Sequence, residues 1–237
     1  MTESQKGFDV LDSVKKHIET LKPLLPKLAT VYIGEYPIKV LLKQPYVDKS
    51  GVTLQVLLGK SSDEVYTWIP KGFNPNLVLG FEDANIETHF WYNVLPFVSQ
   101  DETLMDGLRK KPTEKMRNAI MVASVWDGIG SATLPTLISK FQASKINSLS
   151  IAMLPSKIQP SDAYFNALAS MGICADKDVA TLLLLERDLL ENYEGVDRAG
   201  LLIQGNVVAN YMVNLFLSKE TLVEELCEQS RTFNTKM

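Results

Sequence analysis

The rhythm of apolar and polar positions divides the chain into three stretches. Over residues 8–22, Val10, Val14, Ile18 and Leu21 recur at helical spacing among charged neighbours, predicting an amphipathic helix that Pro23 and Pro26 terminate. The pattern then shortens to runs rich in β-branched and aromatic residues at 29–33, 38–42, 52–58 and 64–69. Gly34, Pro37, Pro45, Gly51, Gly59 and the serines 61 and 62 punctuate these runs, so the simplest expectation is two successive β-hairpins. A further strand is expected at 77–81. Ser99, with Glu102 three residues on, has the form of a capping box and predicts a helix near 101–109, with a second helical stretch after Pro112.

From Ala119 the pattern changes again. A continuous apolar run at 120–125 leads through a glycine-bearing turn at 127–131 to a helix at about 131–143, with Leu134, Leu137, Ile138 and Phe141 on one face. A strand at 148–153 leads through Pro155 and Pro160 to a helix at about 161–171 capped by Ser161. A strand at 179–185 then gives way to a short helix and to long helical segments near 201–217 and 219–230. Buried strands alternating with helices predict an α/β fold: a mostly parallel sheet with helices on both faces, preceded by a β-rich, hairpin-containing N-terminal portion. One domain over 1–237 is expected, with a subdivision into 1–114 and 115–237 as the place where it would divide.

Composition narrows the function classes. Apolar residues make up 46% and charged residues 22% of the 237 residues, the proportions of a globular chain with a substantial core. The net charge of −4 argues against nucleic-acid binding, and the basic run Arg109, Lys110, Lys111 is flanked by Asp106 and Glu114, as on a solvated helix end. Two widely separated cysteines, Cys174 and Cys227, fit neither a zinc site nor a disulfide framework. The polar N-terminus and the lack of any run near ~20 apolar residues predict a cytoplasmic chain without a signal peptide or membrane span.

In an open parallel sheet, ligands bind beyond the carboxyl ends of the strands, which singles out loops 126–132, 154–161 and 186–188. Gly128 and Gly130 in the first loop suit two uses. They let backbone N–H groups approach an anion at a helix N-terminus, and they equally suit a tight strand-to-helix turn. Asp127 is an awkward neighbour for a phosphate, since like charges repel. His17 and His89 lack the partners of a metal site or a catalytic triad and read as structural. Phe90, Trp91 and Tyr92 read as core lining or, if exposed, as a protein-binding hot spot.

Three segments, in order, are residues 120–141, then Leu149-Ser-Ile-Ala-Met-Leu-Pro155-Ser-Lys, then Ser161-Asp-Ala-Tyr-Phe-Asn166-Ala-Leu-Ala-Ser170. Together with Leu185-Glu186-Arg187-Asp188-Leu189 they resemble the tubulin/FtsZ superfamily over about residues 115–217. The resemblance implies a GTPase-domain-like fold with GTP or GDP as ligand. It would place phosphates at Gly128, Gly130 and Ser131, and ribose hydroxyls at Asp162. Guanine would meet Glu186, whose carboxylate can accept both the ring N–H and the amino group. Asn206 and Asn210, four residues apart on the family's long central helix, would face the base. Each position keeps a plainer alternative: helix-start acids for Asp162 and Glu186, and local hydrogen bonding for the asparagines.

Departures from the family pattern shape the functional expectation. The family's loop reads close to GGGTGTG, and here Trp126-Asp-Gly-Ile-Gly-Ser-Ala132 keeps two of its glycines. No glycine-rich first phosphate loop is visible in residues 1–60, and no paired acidic segment follows the central helix before Met237. The resemblance therefore implies a divergent tubulin/FtsZ-like protein with a degraded nucleotide site and no autonomous hydrolysis. It would act as a cytoskeletal-type or scaffold protein through self-association or protein partners. The other expectation is an α/β small-ligand protein or enzyme of another class using the same strand ends. No His, Cys or paired-carboxylate centre near those ends supports it.

Overall fold

A computed structural model describes residues 28–41, 54–81, 85–100, 117–157, 159–176, 182–186, 194–196, 202–204, 213, 216 and 220–234. The helices expected at 8–22, near 101–109 and after Pro112 lie outside these residues, as do Asn206 and Asn210.

Six strands form one sheet: β1 (Leu28–Ile33), β2 (Leu54–Gly59), β3 (Leu77–Gly80), β4 (Asn118–Ser124), β5 (Asn147–Leu154) and β6 (Leu182–Glu186). They lie in the order β3-β2-β1-β4-β5-β6, and every neighbouring pair is parallel. Parallel strands need covering on both faces, and the central ones are apolar throughout: β1 and β4 are buried at every position. One face carries Val31, Ile33, Val56, Met121 and Ala123 into a core completed by α2 (Trp91–Gln100), α3 (Gly128–Ala143) and α4 (Ser161–Asp176). The other carries Tyr32, Leu57, Val122, Ile151 and Met153 against α1 (Ser62–Trp68), α5 (Glu220–Asn234) and the helical residues Val213 and Phe216.

The α/β class with a parallel sheet and helices on both faces is as expected, but the N-terminal hairpins are not present. Residues 64–69 are helical: Ser61 caps α1 by accepting from the Glu64 N–H at 3.2 Å, Asp63 and Glu64 sit in the first turn, and Val65 and Trp68 face inward. With that crossover helix between them, β2 and β3 run parallel. The stretch expected as a strand at 38–42 is a π-helical turn over Pro37–Leu41 that continues the helical residues 35 and 36, and Pro37 lies in the first turn, where a missing N–H costs little. The first half thus repeats the strand–helix grammar of the second.

Three smaller corrections follow. Ser99 lies inside α2 rather than capping a later helix. Ser161 is the first residue of α4 rather than its cap. Within the expected helix at 201–217, residues Leu202–Gln204 form a strand, β8, pairing antiparallel with β7 (Glu194–Val196). No helix among the described residues is long and apolar enough to cross a membrane.

Candidate functional site

The strand order reverses direction between β1 and β4, so the chain leaves these two neighbours toward opposite faces. In such sheets the usual ligand crevice lies at the carboxyl ends of a diverging pair like this one. Two turns meet there. After β1, Gly34 takes φ +89°, which a side chain would strain, and donates its N–H to the Leu58 carbonyl at 2.9 Å. After β4, the chain turns through Val125 and Trp126 into α3. The two turns touch through Tyr36 and Trp126, whose rings meet edge to face at 5.1 Å. The turn after β1 thus leads directly into the helical residues 35–41. It carries one glycine, followed by Glu35.

Asp127 dominates the crevice. As N-cap of α3 it accepts the Gly130 N–H on Oδ1 at 2.7 Å and the Ser124 hydroxyl on Oδ2 at 2.7 Å. Burial raises its carboxyl above the ordinary aspartate value of 3.8; hydrogen bonds from Gly130, Ser124 and Ile129 oppose the rise, and the charge of Glu35 adds to it. A carboxyl group of the chain itself thus occupies the helix N-terminus and takes the donor that an anionic ligand would use.

The two glycines serve close approach. The Gly128 N–H donates to the Thr88 carbonyl at 3.0 Å, and a Cβ there would lie 2.5 Å from that oxygen and 2.7 Å from the Phe90 carbonyl oxygen. A Cβ on Gly130 would overlap the Ser124 carbonyl. Ser131, fully buried, donates its hydroxyl to the Asp127 carbonyl at 2.6 Å. The N–H groups of Gly128 and Gly130 are therefore both engaged within the chain.

Residues 86–90 reach over the turn and are tied down by Asn166 of α4. Its Oδ1 accepts from the Trp91 N–H at 3.0 Å, and its Nδ2 donates to the carbonyls of His89 at 2.8 Å and Trp126 at 3.2 Å. One buried amide thus joins the loop before α2, the turn after β4 and α4 itself. Asp162 holds the same loop from outside, its Oδ2 lying 2.6 Å from Nε2 of His89. His89 and Asp162 are both partly open to water, so this contact is worth far less than the buried amide.

Of the residues expected to form a nucleotide site, Gly128, Gly130 and Ser131 lie together at the crevice, and Asp162 stands at the head of α4 against His89. Glu186 is exposed at the end of β6, opposite Leu154 of β5 in register and therefore two strands from β4. Sequence patterns did not indicate Thr88, Glu35 or the bridging role of Asn166. Only Asn166 left a trace, as part of the 161–170 segment that carries the family resemblance.

No family model and no curated protein matches the sequence. Solved structures do match. CetZ1 from Haloferax volcanii, a GDP-bound monomer, superposes with a TM-score of 0.64 at 16% identity, over 85% of this chain and 64% of its own. TubZ of the Clostridium botulinum phage c-st, truncated at its C-terminal tail, gives 0.62 at 12% identity over 81% of this chain and 59% of its own. CetZ2 from Haloferax volcanii, a GTPγS-bound protofilament, gives 0.60 at 15% identity over 86% of this chain and 59% of its own. The chain thus spans about three-fifths of the length of these structures. It shares the α/β fold of these tubulin/FtsZ-type structures.

Proposed function

We propose that this chain is a divergent tubulin/FtsZ-like scaffold of the cytoplasm that works through self-association or protein partners, with a degraded nucleotide site and no GTP hydrolysis of its own. The observation that carries this reading is the Asp127 carboxylate at the N-terminus of α3. It takes the Gly130 N–H, while the Gly128 N–H is spent on Thr88. A γ- or β-phosphate would have to displace a tethered carboxyl group from the Gly130 N–H and then lie near Glu35, whose charge repels it. Self-association has support from the protofilament state of CetZ2, which shares the fold.

Titration of fluorescent GTP and GDP, alongside light scattering over a protein concentration series, tests both parts. The expected result is no saturable nucleotide binding below about 1 mM, with concentration-dependent assembly that added nucleotide leaves unchanged. Micromolar binding of either nucleotide would overturn the degraded site. An Asp127→Ser variant sharpens the test, since serine still caps the helix but leaves the anion position open. Millimolar inorganic phosphate should raise the melting temperature of that variant and not that of the parent chain.

A further inference from the structure

The outer face of α4 is apolar where a surface helix is normally charged. Its only charged residues are Asp162 and Asp176, at its two ends. The inner side, with Ala163, Asn166, Ala167, Ser170 and Cys174, is buried. The outer side exposes Leu168 at 72%, Phe165 at 48% and Tyr164 at 37%. Phe165 continues the surface to Phe90 and to Tyr92, 48% exposed, at ring distances of 6.2 and 6.5 Å, and Phe90 stacks on Tyr92 at 5.3 Å. These side chains present on the order of 400 Å² of apolar surface. A stable pairwise interface takes roughly 800 Å² from each partner, a little over half of it apolar, so this patch is of the size required.

The shape of the face identifies its occupant. Large side chains stand on the N-terminal half of α4, and the exposed residues of its C-terminal half include Gly172 and Ala175. A Cβ added to Gly172 would find nothing within 4 Å, so that position is a notch open to solvent. Leu168 and Gly172 are one turn apart on one face, with Phe165 and Ala175 three residues further out on either side. Both pairs are centred on position 170. An antiparallel copy of the helix, related by a two-fold axis at that level, brings Leu168 onto the partner's Gly172 and Phe165 onto the partner's Ala175. Both contacts then recur by symmetry. The opposed helix dipoles favour the same arrangement.

We propose that the outer face of α4, edged by Phe90 and Tyr92, is a two-fold self-association surface on which the chain pairs with a second copy of itself through antiparallel α4 helices. The proposal rests on the self-association part of the reading above and is independent of the state of the nucleotide site.

Sedimentation equilibrium of the full chain from about 1 to about 200 μM tests it, with Leu168→Glu, Gly172→Leu and, as control on α1, Tyr66→Ser. Leu168→Glu puts a charge in the interface, whereas Gly172→Leu fills the notch and, on a helix, favours folding of the single chain. Each should weaken pairing about 100-fold or more without lowering the melting temperature of the dissociated chain, read at a dilution where parent and variants are all monomeric, and the control should pair like the parent. Mild oxidation of a mixture of Leu168→Cys and Gly172→Cys chains should give a cross-linked dimer in higher yield than either variant alone. Association that persists unchanged in both α4 variants, or cross-linking no better in the mixture, overturns this surface while leaving self-association standing. A parent chain that stays monomeric to about 200 μM overturns the surface and self-association together, and nucleotide titration judges the degraded site separately.

Discussion

Replacing Asp127 separates its two roles, helix cap and buried charge. In Asp127→Ala the Gly130 N–H and the Ser124 hydroxyl both lose their acceptor. Loss of an N-cap costs about 1–2 kcal/mol, and leaving the enclosed hydroxyl unpaired adds about 1 more, for a total of about 2–3 kcal/mol. For a chain of this size that corresponds to a fall of roughly 5–10 °C in melting temperature. Asp127→Asn keeps an oxygen for Gly130 and lets the serine oxygen accept from the new amide, so it should remain within about 0.5 kcal/mol at acid pH. The difference between parent and Asp127→Asn then reports the charge. Because burial raises the native carboxyl above 3.8, the folded state holds its proton longer than the unfolded chain. The parent's contribution from this group is fully present below pH 3.8 and is lost as pH rises through the elevated native value. Other carboxylates titrate in both proteins and cancel in the difference. Urea denaturation from pH 3.5 to 8 should show the parent losing ground to Asp127→Asn across that window and levelling off above it. A parent that gains on the asparagine variant as pH rises would mean the carboxylate is stabilised by its donors, and the account of an enclosed, repelled anion would be wrong.

The remaining expectations concern the loop and the core around it. Asn166→Leu removes three hydrogen bonds and strands the Trp91 N–H, so a loss of about 3 kcal/mol with faster proteolysis at residues 86–90 is expected; unchanged cleavage would show that the loop is held elsewhere. Gly130→Ala sets a methyl into the Ser124 carbonyl, a backbone clash that should cost at least about 3 kcal/mol, and a variant melting like the parent would refute the close approach of α3 to β4. Burial pushes the Cys174 thiol up to about 11, which leaves roughly one part in a thousand as thiolate at pH 8. A disulfide reagent should therefore label it slowly in the folded chain and at once in guanidine.

How far the sequence discloses the fold depends on which physical signal each segment carries. Residues 120–125 and 148–153 are mostly apolar runs, broken only by serines, long enough and well enough bounded by turn residues to be read as buried strands, and β4 and β5 lie within a residue or two of them. Residues 38–42 and 64–69 carry the same β-branched and aromatic composition in runs of five or six, where periodicity cannot separate strand from helix. The deciding signal for the second was the spacing of Ser61 and Glu64, a capping pattern just before the run, now seen as a hydrogen bond. The parallel direction was also legible in principle. A strand as apolar as 54–59, with Gln55 its one polar residue, asks for cover on both faces, which a hairpin open to water would not give.

The site was legible only as far as its local part. Gly128 and Gly130 announce a close approach, and Asp127 announces a charge conflict with phosphate, because both follow from residues adjacent in the chain. Thr88 acts across about forty positions through a backbone carbonyl that any residue could supply, and Asn166 across about seventy-five through its side-chain amide, and no periodicity marks such distant partners. Yet these distant contacts decide how the two glycines are used. A helix N-terminus has few free donors, and a carboxylate attached one residue before it competes at an effective concentration far above any free ligand, ~1 M or more for a well-oriented group. Cellular nucleotide at about 1 mM would face that tethered competitor, the repulsion of Glu35 and a loop fixed by Asn166 all at once. On the reading proposed here, the position at the strand reversal that would receive an anion is instead filled by the chain's own carboxyl group. The turn persists because α3, β4 and the 86–90 loop are built around it.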